Sequence, residues 1–356
     1  MPKESFLSLP HNQQLEFFKF YIEEHANHSL EVAEKDLWVC WVLKQLFEMP
    51  ERKNIVFKGG TSLSKAFNII DRFSEDIDIT IDYRDFEVFK VLGLDAEPTM
   101  ALGFESKQAG KRFSDSLIQA VKEYSMNVVM PYLQSKIKEL PNSESFSIDL
   151  EDENQSIRFN YPTLDPDAKM DGYMRNHVLI EFGGRNVINP NEIMKIAPYI
   201  SVMSDDFEFP TSLVTVLAAE RTFWEKATLI HVECHRGVRE NAMRLSRHWF
   251  DLMRLYQHQR GLGAIKNFEL LKDVVTLKSV FYNAKYANYD KCMSGEFVLV
   301  PDAQGLTQLK NDYEKMVNAN YMSDSSITFE QIIHEVQAIQ DQINAVISER
   351  QVQFPK

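Results

Sequence analysis

Asp76 and Asp78 flank one isoleucine in the run Asp76-Ile77-Asp78-Ile79-Thr80-Ile81-Asp82. The polar–apolar alternation has a period of two, which predicts a strand with the isoleucines on one face and the aspartates on the other. Two carboxylates on one strand face can share or bridge a hard cation. Magnesium suits them, because it prefers carboxylate oxygens, keeps water and shares its shell with phosphates. The chemistry implied is transfer of a phosphoryl-type group from a nucleoside triphosphate, in which the protein positions groups and supplies cations. Upstream lies Gly59-Gly60-Thr61-Ser62, whose glycines let the backbone approach phosphate oxygens. A helix starting at Thr61 or Ser62 would aim unpaired N–H groups at an anion, and Lys65, one turn in, is spaced to reach a phosphate. The loop is neither a Walker A motif nor a dinucleotide fingerprint. Asp-Ile-Asp alone also fits a solvated strand face. Its specificity comes from the Gly-Gly turn and from the flank Arg72-Phe73-Ser74-Glu75.

Two later stretches carry further chemistry. In Glu220-Arg221-Thr222-Phe223-Trp224-Glu225-Lys226-Ala227, helical spacing surrounds Lys226 with Ala219, Thr222, Phe223, Leu229 and Ile230. A lysine on so apolar a stripe must snorkel or find an anion, either a triphosphate or a carboxylate. Arg244, Arg247, Asp251 and Arg254 are spaced three, four and three, which predicts a single helical face. Such rows are commonly exposed salt bridges of small energy. The functional alternative has Arg244 and Arg247 on phosphates while Asp251 orients Lys226 or an arginine. His231-Val232-Glu233-Cys234-His235 spaces two histidines like a zinc-protease helix, but the residue after the first is valine, so zinc is not expected.

Lys58-Gly59-Gly60-Thr61-Ser62-Leu63-Ser64-Lys65 followed by Arg72-Phe73-Ser74-Glu75-Asp76-Ile77-Asp78 resembles the first motif of the AbiEii/AbiGii toxin family, nucleotidyltransferases of the DNA polymerase β-like superfamily. The stretches around Glu181, Lys226 and Asp251 resemble its later motifs, although many relatives carry Asp where this chain has His248. Asp312-Tyr313-Glu314-Lys315-Met316 resembles a C-terminal feature of one branch. The resemblance implies a third acid from a later strand. Glu181 answers it, set opposite Val178, Ile180 and Phe182 by strand alternation, and Asp149, between Ile148 and Leu150, is its rival. The implied activity is magnesium-dependent transfer of a nucleoside monophosphate to an acceptor, with release of pyrophosphate. Asp76 and Asp78 would hold the metal, and Glu181, Lys226 and Asp251 would complete the catalytic set. Gly59, Gly60, Thr61, Ser62, Lys65, Arg244 and Arg247 would bind the nucleotide. RNA, in particular the 3′ end of tRNA, is the expected acceptor, within a toxin–antitoxin or phage-defence system with a separately encoded winged-helix antitoxin. A small-molecule or protein acceptor, or a non-catalytic nucleotide-binding protein, are the alternatives.

The elements that must position these residues are an α+β set. Helical spacing predicts two helices over 11–49, a short strand at 55–57, a helix over 63–70 and a longer one over about 108–139. Strands are predicted at 146–150, 157–161 and 178–182, and helices beyond Pro210, with breaks near 261–263 and 295–305. The expected fold is a polymerase β-like nucleotidyltransferase domain with a small mixed sheet over 1–205, and a helical domain over 206–356 completing the cleft. Of the 356 residues, 44% are hydrophobic, which fits a globular chain with a sizeable core. No apolar run is long enough to cross a membrane and no signal-peptide layout opens the chain. Three scattered cysteines form neither a disulfide framework nor a metal pair, so a reducing cytoplasm is the expected address. The net charge of −13 argues against a protein that coats nucleic acid generally. It leaves room for a local basic surface. Residues 221–260 hold eight Lys/Arg (Arg221, Lys226, Arg236, Arg239, Arg244, Arg247, Arg254, Arg260) against four acids (Glu225, Glu233, Glu240, Asp251).

Overall fold

A computed structural model describes residues 3–25, 28–72, 74, 76–91, 107–151, 156–165, 176–240, 242–319, 322 and 326–353. Phe73 and Glu75 of the first motif lie outside the described residues. The chain divides into two compact units. The first comprises 1–66, 73–94 and 115–216, and the second 67–72, 95–114 and 217–356.

The first unit opens with helices α1 (His11–Glu24) and α2 (Leu30–Glu48), the latter capped by the Ser29 side chain accepting from Val32 N. Strand β1 (Ile55–Lys58) runs straight into α3 (Gly59–Lys65), and β2 (Asp76–Ile81) follows. Helix α4 (Lys107–Tyr124), which belongs to this unit from Asp115 on, continues through a π-helical turn at Ser125–Val129 into α5 (Met130–Ile137), so the predicted long helix is interrupted near its middle. Strands β3 (Ser147–Glu151), β4 (Ser156–Asn160), β5 (His177–Gly183), β6 (Asn191–Ile196) and β7 (Ser212–Leu217) complete a seven-stranded sheet in the order β3-β4-β5-β2-β1-β7-β6. The sheet is mixed: β2 runs antiparallel to β1 and parallel to β5, while β4 is antiparallel to both β3 and β5.

Sequence patterning misses β6 and β7. Asn191-Glu192-Ile193-Met194-Lys195-Ile196 is an edge strand with few buried side chains, and Ser212–Leu217 merges without a turn signal into the helix that follows. The short helix also starts earlier than predicted, at Gly59 rather than Leu63, and ends at Lys65 rather than Ile70.

Registered partners on neighbouring strands share a face. Ile77, Ile79 and Ile81 therefore lie with Ile55, Phe57, Ile180, Phe182, Val178, Ile157 and Phe159, all of them buried. Helix α2 covers part of this face, with Trp41 stacked on Phe159 at 5.0 Å and Trp38 edge-on to Phe146 at 5.0 Å. A separate aromatic cluster sets Phe6 against Phe17, Phe18 and Phe209. The opposite face of the sheet carries Asp76, Asp78 and Glu181.

The second unit is helical, built on α6 (Ala219–Arg236), α7 (Arg247–Gln257), α8 (Gln259–Lys266), α9 (Phe268–Phe281), α10 (Ala303–Asn318) and α11 (Phe329–Gln353). Helix α6 packs against α7, α8 and α9 and buries Phe223, Trp224, Ala227 and Ile230. Trp224 Nε1 donates to Ala264 O at 3.1 Å and Trp249 Nε1 to Leu299 O at 2.8 Å, so both indoles are buried without an orphaned donor. The break predicted at 261–263 falls instead at His258, between α7 and α8. Gly261 lies inside α8 because a Cβ there would stand 2.0 Å from Leu255 O, so it marks a close approach of backbones and not a helix end. The break at 295–302 is present.

Candidate functional site

Register, more than sequence, decides which acids meet. Asp78 pairs with Glu181 across the parallel β2–β5 ladder, and with Lys58 across the antiparallel β1–β2 ladder. One row of the acid-bearing face therefore reads Lys58, Asp78, Glu181, Ser156, and the next reads Asp76, Leu179, Arg158, Asp149. Adjacent strands are about 4.8 Å apart, which puts Glu181 one spacing from Asp78 and Asp149 three spacings, roughly 14 Å, from Asp76. Asp149 is on the outermost strand, where its carboxylate accepts from Asn160 Nδ2 at 2.7 Å. Of the two rivals, Glu181 is the acid brought beside the aspartates. Motif spacing alone does not single out Lys58. Its one signal in the sequence is its place immediately before the Gly-Gly turn.

The turn itself is shaped around Asp78. Gly59 has φ +80°, and a Cβ there would sit 1.8 Å from Asp78 Oδ2 and 2.8 Å from its Cγ. Only glycine satisfies both the backbone angle and the space. Thr61 Oγ1 donates to Asp76 O at 2.6 Å, and Ser62 Oγ donates to Gly59 O at 2.9 Å. Both side chains are buried, so these hydroxyls fasten α3 to β2 and close its first turn. Expected as nucleotide ligands, Thr61 and Ser62 have only their backbone N–H groups left for that role, since the opening N–H groups of a helix lack intrahelical acceptors.

Lys65 departs further from expectation. Its Nζ lies 2.7 Å from Asp36 Oδ1 and donates to Ala197 O at 2.8 Å, and its side chain is 5% exposed. The ammonium is committed inside the unit, on the side of α3 that meets Asp36 of α2.

In the second unit, Lys226 finds its anion. Lys226 Nζ donates to Asp251 Oδ2 at 2.7 Å, while Arg72 grips the same carboxylate in bidentate fashion, Nε to Oδ1 at 2.7 Å and Nη2 to Oδ2 at 2.8 Å. Asp251 is fully buried and both cations nearly so. Burial alone would raise the Asp251 pKa, but the charges of Arg72 and then Lys226, with their hydrogen bonds, override it and hold the carboxyl well below its ordinary range. Burial and the nearby Arg72 and Arg247 draw Lys226 below the ordinary lysine value against the pull of Asp251. In the sequence Arg72 stands out only as a flank of the aspartate motif, and nothing there signals its bidentate role.

The predicted four-residue helical face is corrected at one end. Arg244 precedes α7, with φ +58°, and its N–H donates to Asp312 Oδ1 at 2.6 Å. Asp312 also accepts from Ser246 N and Oγ, both at 2.7 Å, and so fixes the entry to α7. Arg247 opens the helix and Arg254 pairs with Asp71 at 3.1 Å. Burial, then Lys226 and Arg247, push His248 well below the usual histidine pKa, so it is neutral. His231 is likewise neutral, lowered to about 4 chiefly by burial. Both its ring nitrogens are engaged, Nδ1 by Val298 N at 3.0 Å and Nε2 by Asn288 O at 3.2 Å.

Among the described residues, no three His, Cys, Asp or Glu side chains assemble into a protein-only metal cage. A magnesium site of the substrate-sharing kind takes one or two carboxylates and completes its shell with water and phosphate oxygens. Asp76 and Asp78, on one strand face, are carboxylates of the type such a site would use.

The sequence profile of the family described as nucleotidyl transferase AbiEii toxin, type IV TA system, matches residues 41–335. No curated protein sequence matches the chain. Among solved structures, MenT4, a nucleotidyltransferase toxin from Mycobacterium tuberculosis, is similar over 93% of this chain and 98% of its own, with 13% identity and a TM-score of 0.43. No described helix is long and apolar enough to cross a membrane.

Two outcomes are expected from this geometry. Gly59→Ala should leave the cooperative unfolding transition in place while displacing the Asp78 carboxylate, seen as a loss of divalent-cation binding in the presence of nucleoside triphosphate by titration calorimetry. Asp251→Asn should destabilise the fold by about 3–5 kcal/mol at neutral pH, because it leaves two buried cations without their anion. Because the folded carboxyl is held below its unfolded value, its contribution is present above about pH 4 and is lost as pH falls further. Denaturant unfolding of both proteins between pH 3 and 8 should show their difference flat above about pH 5 and shrinking in acid.

Proposed function

This chain belongs to the AbiEii nucleotidyl transferase toxin family of type IV toxin–antitoxin systems, and from that premise we propose that it moves a nucleoside monophosphate from a triphosphate to the 3′ end of an RNA, with tRNA as the acceptor class. The observation that carries the reading is the row Lys58–Asp78–Glu181 beside Asp76, with Gly59 moulded against the Asp78 carboxylate. Bound magnesium would supply charge neutralisation on the triphosphate and on the departing pyrophosphate.

Asp76 and Asp78 would hold that ion, their shared strand face placing both carboxylates on one side of the sheet. Backbone N–H groups at Gly59 to Ser62 orient phosphate oxygens. The acceptor hydroxyl oxygen bonds to the α-phosphorus as the bond from that phosphorus to the bridging oxygen breaks. Pyrophosphate leaves with the bonding pair, and Glu181 receives the hydroxyl proton. For Lys226 we carry over the catalytic role, and for Arg244 and Arg247 the nucleotide-binding role, that the family motifs imply. Asp251 supports Lys226 and Arg72 together, which the buried three-residue network favours. The partner is a separately encoded winged-helix antitoxin, and the address is cytoplasmic.

Labelled triphosphates incubated with total tRNA and magnesium test this directly. Wild type should transfer label to RNA, and Asp76→Ala/Asp78→Ala should reduce transfer by at least about 100-fold, the scale of losing a major electrostatic contributor. Transfer that survives in the double variant would refute the metal-site assignment. Label moving to protein or a small molecule instead of RNA would overturn the acceptor.

A further inference from the structure

The lysine that closes the first motif has surroundings unlike those of a substrate ligand. Lys65 ends α3, and its ammonium is surrounded by Asp36 Oδ1 at 2.7 Å, Ala197 O at 2.8 Å, the ring of Tyr199, whose centroid is 3.7 Å away, and the Cys40 thiol of α2. Asp36 is 4% exposed at the side chain and its other oxygen accepts from Tyr199 N at 2.6 Å. These partners come from α2 and from the segment after β6, and all belong to the same compact unit as α3.

Helix α3 is seven residues long, too short to hold its own direction. Its first turn is fastened to β2 by Thr61 Oγ1 on Asp76 O, and Gly59 lies against Asp78. Its last residue is the only one carrying a charge, and that charge is buried in a closed, hydrogen-bonded site. A short helix fixed at both ends cannot tilt without moving Gly59 relative to the Asp78 carboxylate.

We propose that Lys65 is a positioning residue whose ion pair with Asp36 sets the angle of α3 and thereby the seat of Asp78, and that it does not contact the nucleotide. The inference rests on the reading of Asp76 and Asp78 as the catalytic pair. Its energetics follow from burial. Removing one partner strands the other as an uncompensated charge, whereas replacing both by apolar side chains of similar volume removes the need for either. A phosphate ligand behaves otherwise, because no change at Asp36 can restore a lost contact with substrate.

The test compares wild type, Lys65→Met, Asp36→Leu and Lys65→Met/Asp36→Leu by thermal unfolding and by steady-state transfer kinetics with varied triphosphate. Each single variant should lower the unfolding midpoint and cut kcat by about 10-fold or more with KM for triphosphate within about 3-fold of wild type, and the double variant should recover most of both losses. If neither single variant folds, the double decides alone. Near-wild-type kcat and KM support the proposal, and a folded double variant with KM raised about 10-fold or more overturns it, making Lys65 a substrate ligand. Full kcat in a folded Lys65→Met also overturns it. An inactive wild type would instead strike down the transferase reading, and this proposal with it, whereas an active wild type confines any failure to the role given to Lys65.

Discussion

The parallel pairing of β2 with β5 is the constraint on which the acidic site depends. Because side chains alternate strictly along a strand, a slip of one residue in that ladder would send Glu181 to the buried face and set an isoleucine beside Asp78. The fully buried Ile180, which pairs with the fully buried Ile77, makes such a slip prohibitive, since it would carry Ile180 to the acid-bearing face. The core thus enforces an arrangement that electrostatics resists. Like charges on neighbouring strands of one face repel, and solvent screens part of that repulsion because neither side chain is fully buried. Lys58 stands in register on the other side of Asp78, where its charge offsets part of that cost.

The second unit solves a different problem with the same economy. A carboxylate with no exposure, Asp251, is tolerable only because two cations reach it with good geometry, one of them through a bidentate guanidinium. Arg72 comes from the short segment 67–72, which belongs to the helical unit although it lies between two pieces of the sheet-bearing unit in sequence. The local chemistry is therefore set by distant chain positions: Arg72 and Asp251 are 179 residues apart, and Lys226 and Asp251 are 25.

What can be read from sequence follows the same division. The strand carrying Asp76 and Asp78 is legible because its period of two is unbroken, and Glu181 because apolar neighbours flank it on alternate positions. Lys226 is legible as a buried cation needing an anion, since the residues one helical turn away are apolar. The ion pair of Lys65 is not legible because spacing gives reach but not direction, and its partner Asp36 stands on a helix whose charged residues give no hint of burial. Arg244 falls outside the helix that spacing assigns it to, which begins three residues later, and the acid that holds the backbone there, Asp312, arrives from 68 residues downstream. Strands β6 and β7 escape for want of apolar contrast at a sheet edge and of a turn before α6.

The central claim, that Asp76 and Asp78 together hold a substrate-shared metal ion, is tested most directly by a crystal structure of the protein with manganese and a non-hydrolysable nucleoside triphosphate. The expected result is an anomalous scattering peak coordinated by carboxylate oxygens of both aspartates and by triphosphate oxygens, with Glu181 alongside. A nucleotide bound with manganese held elsewhere, or with neither aspartate in its shell, would contradict it.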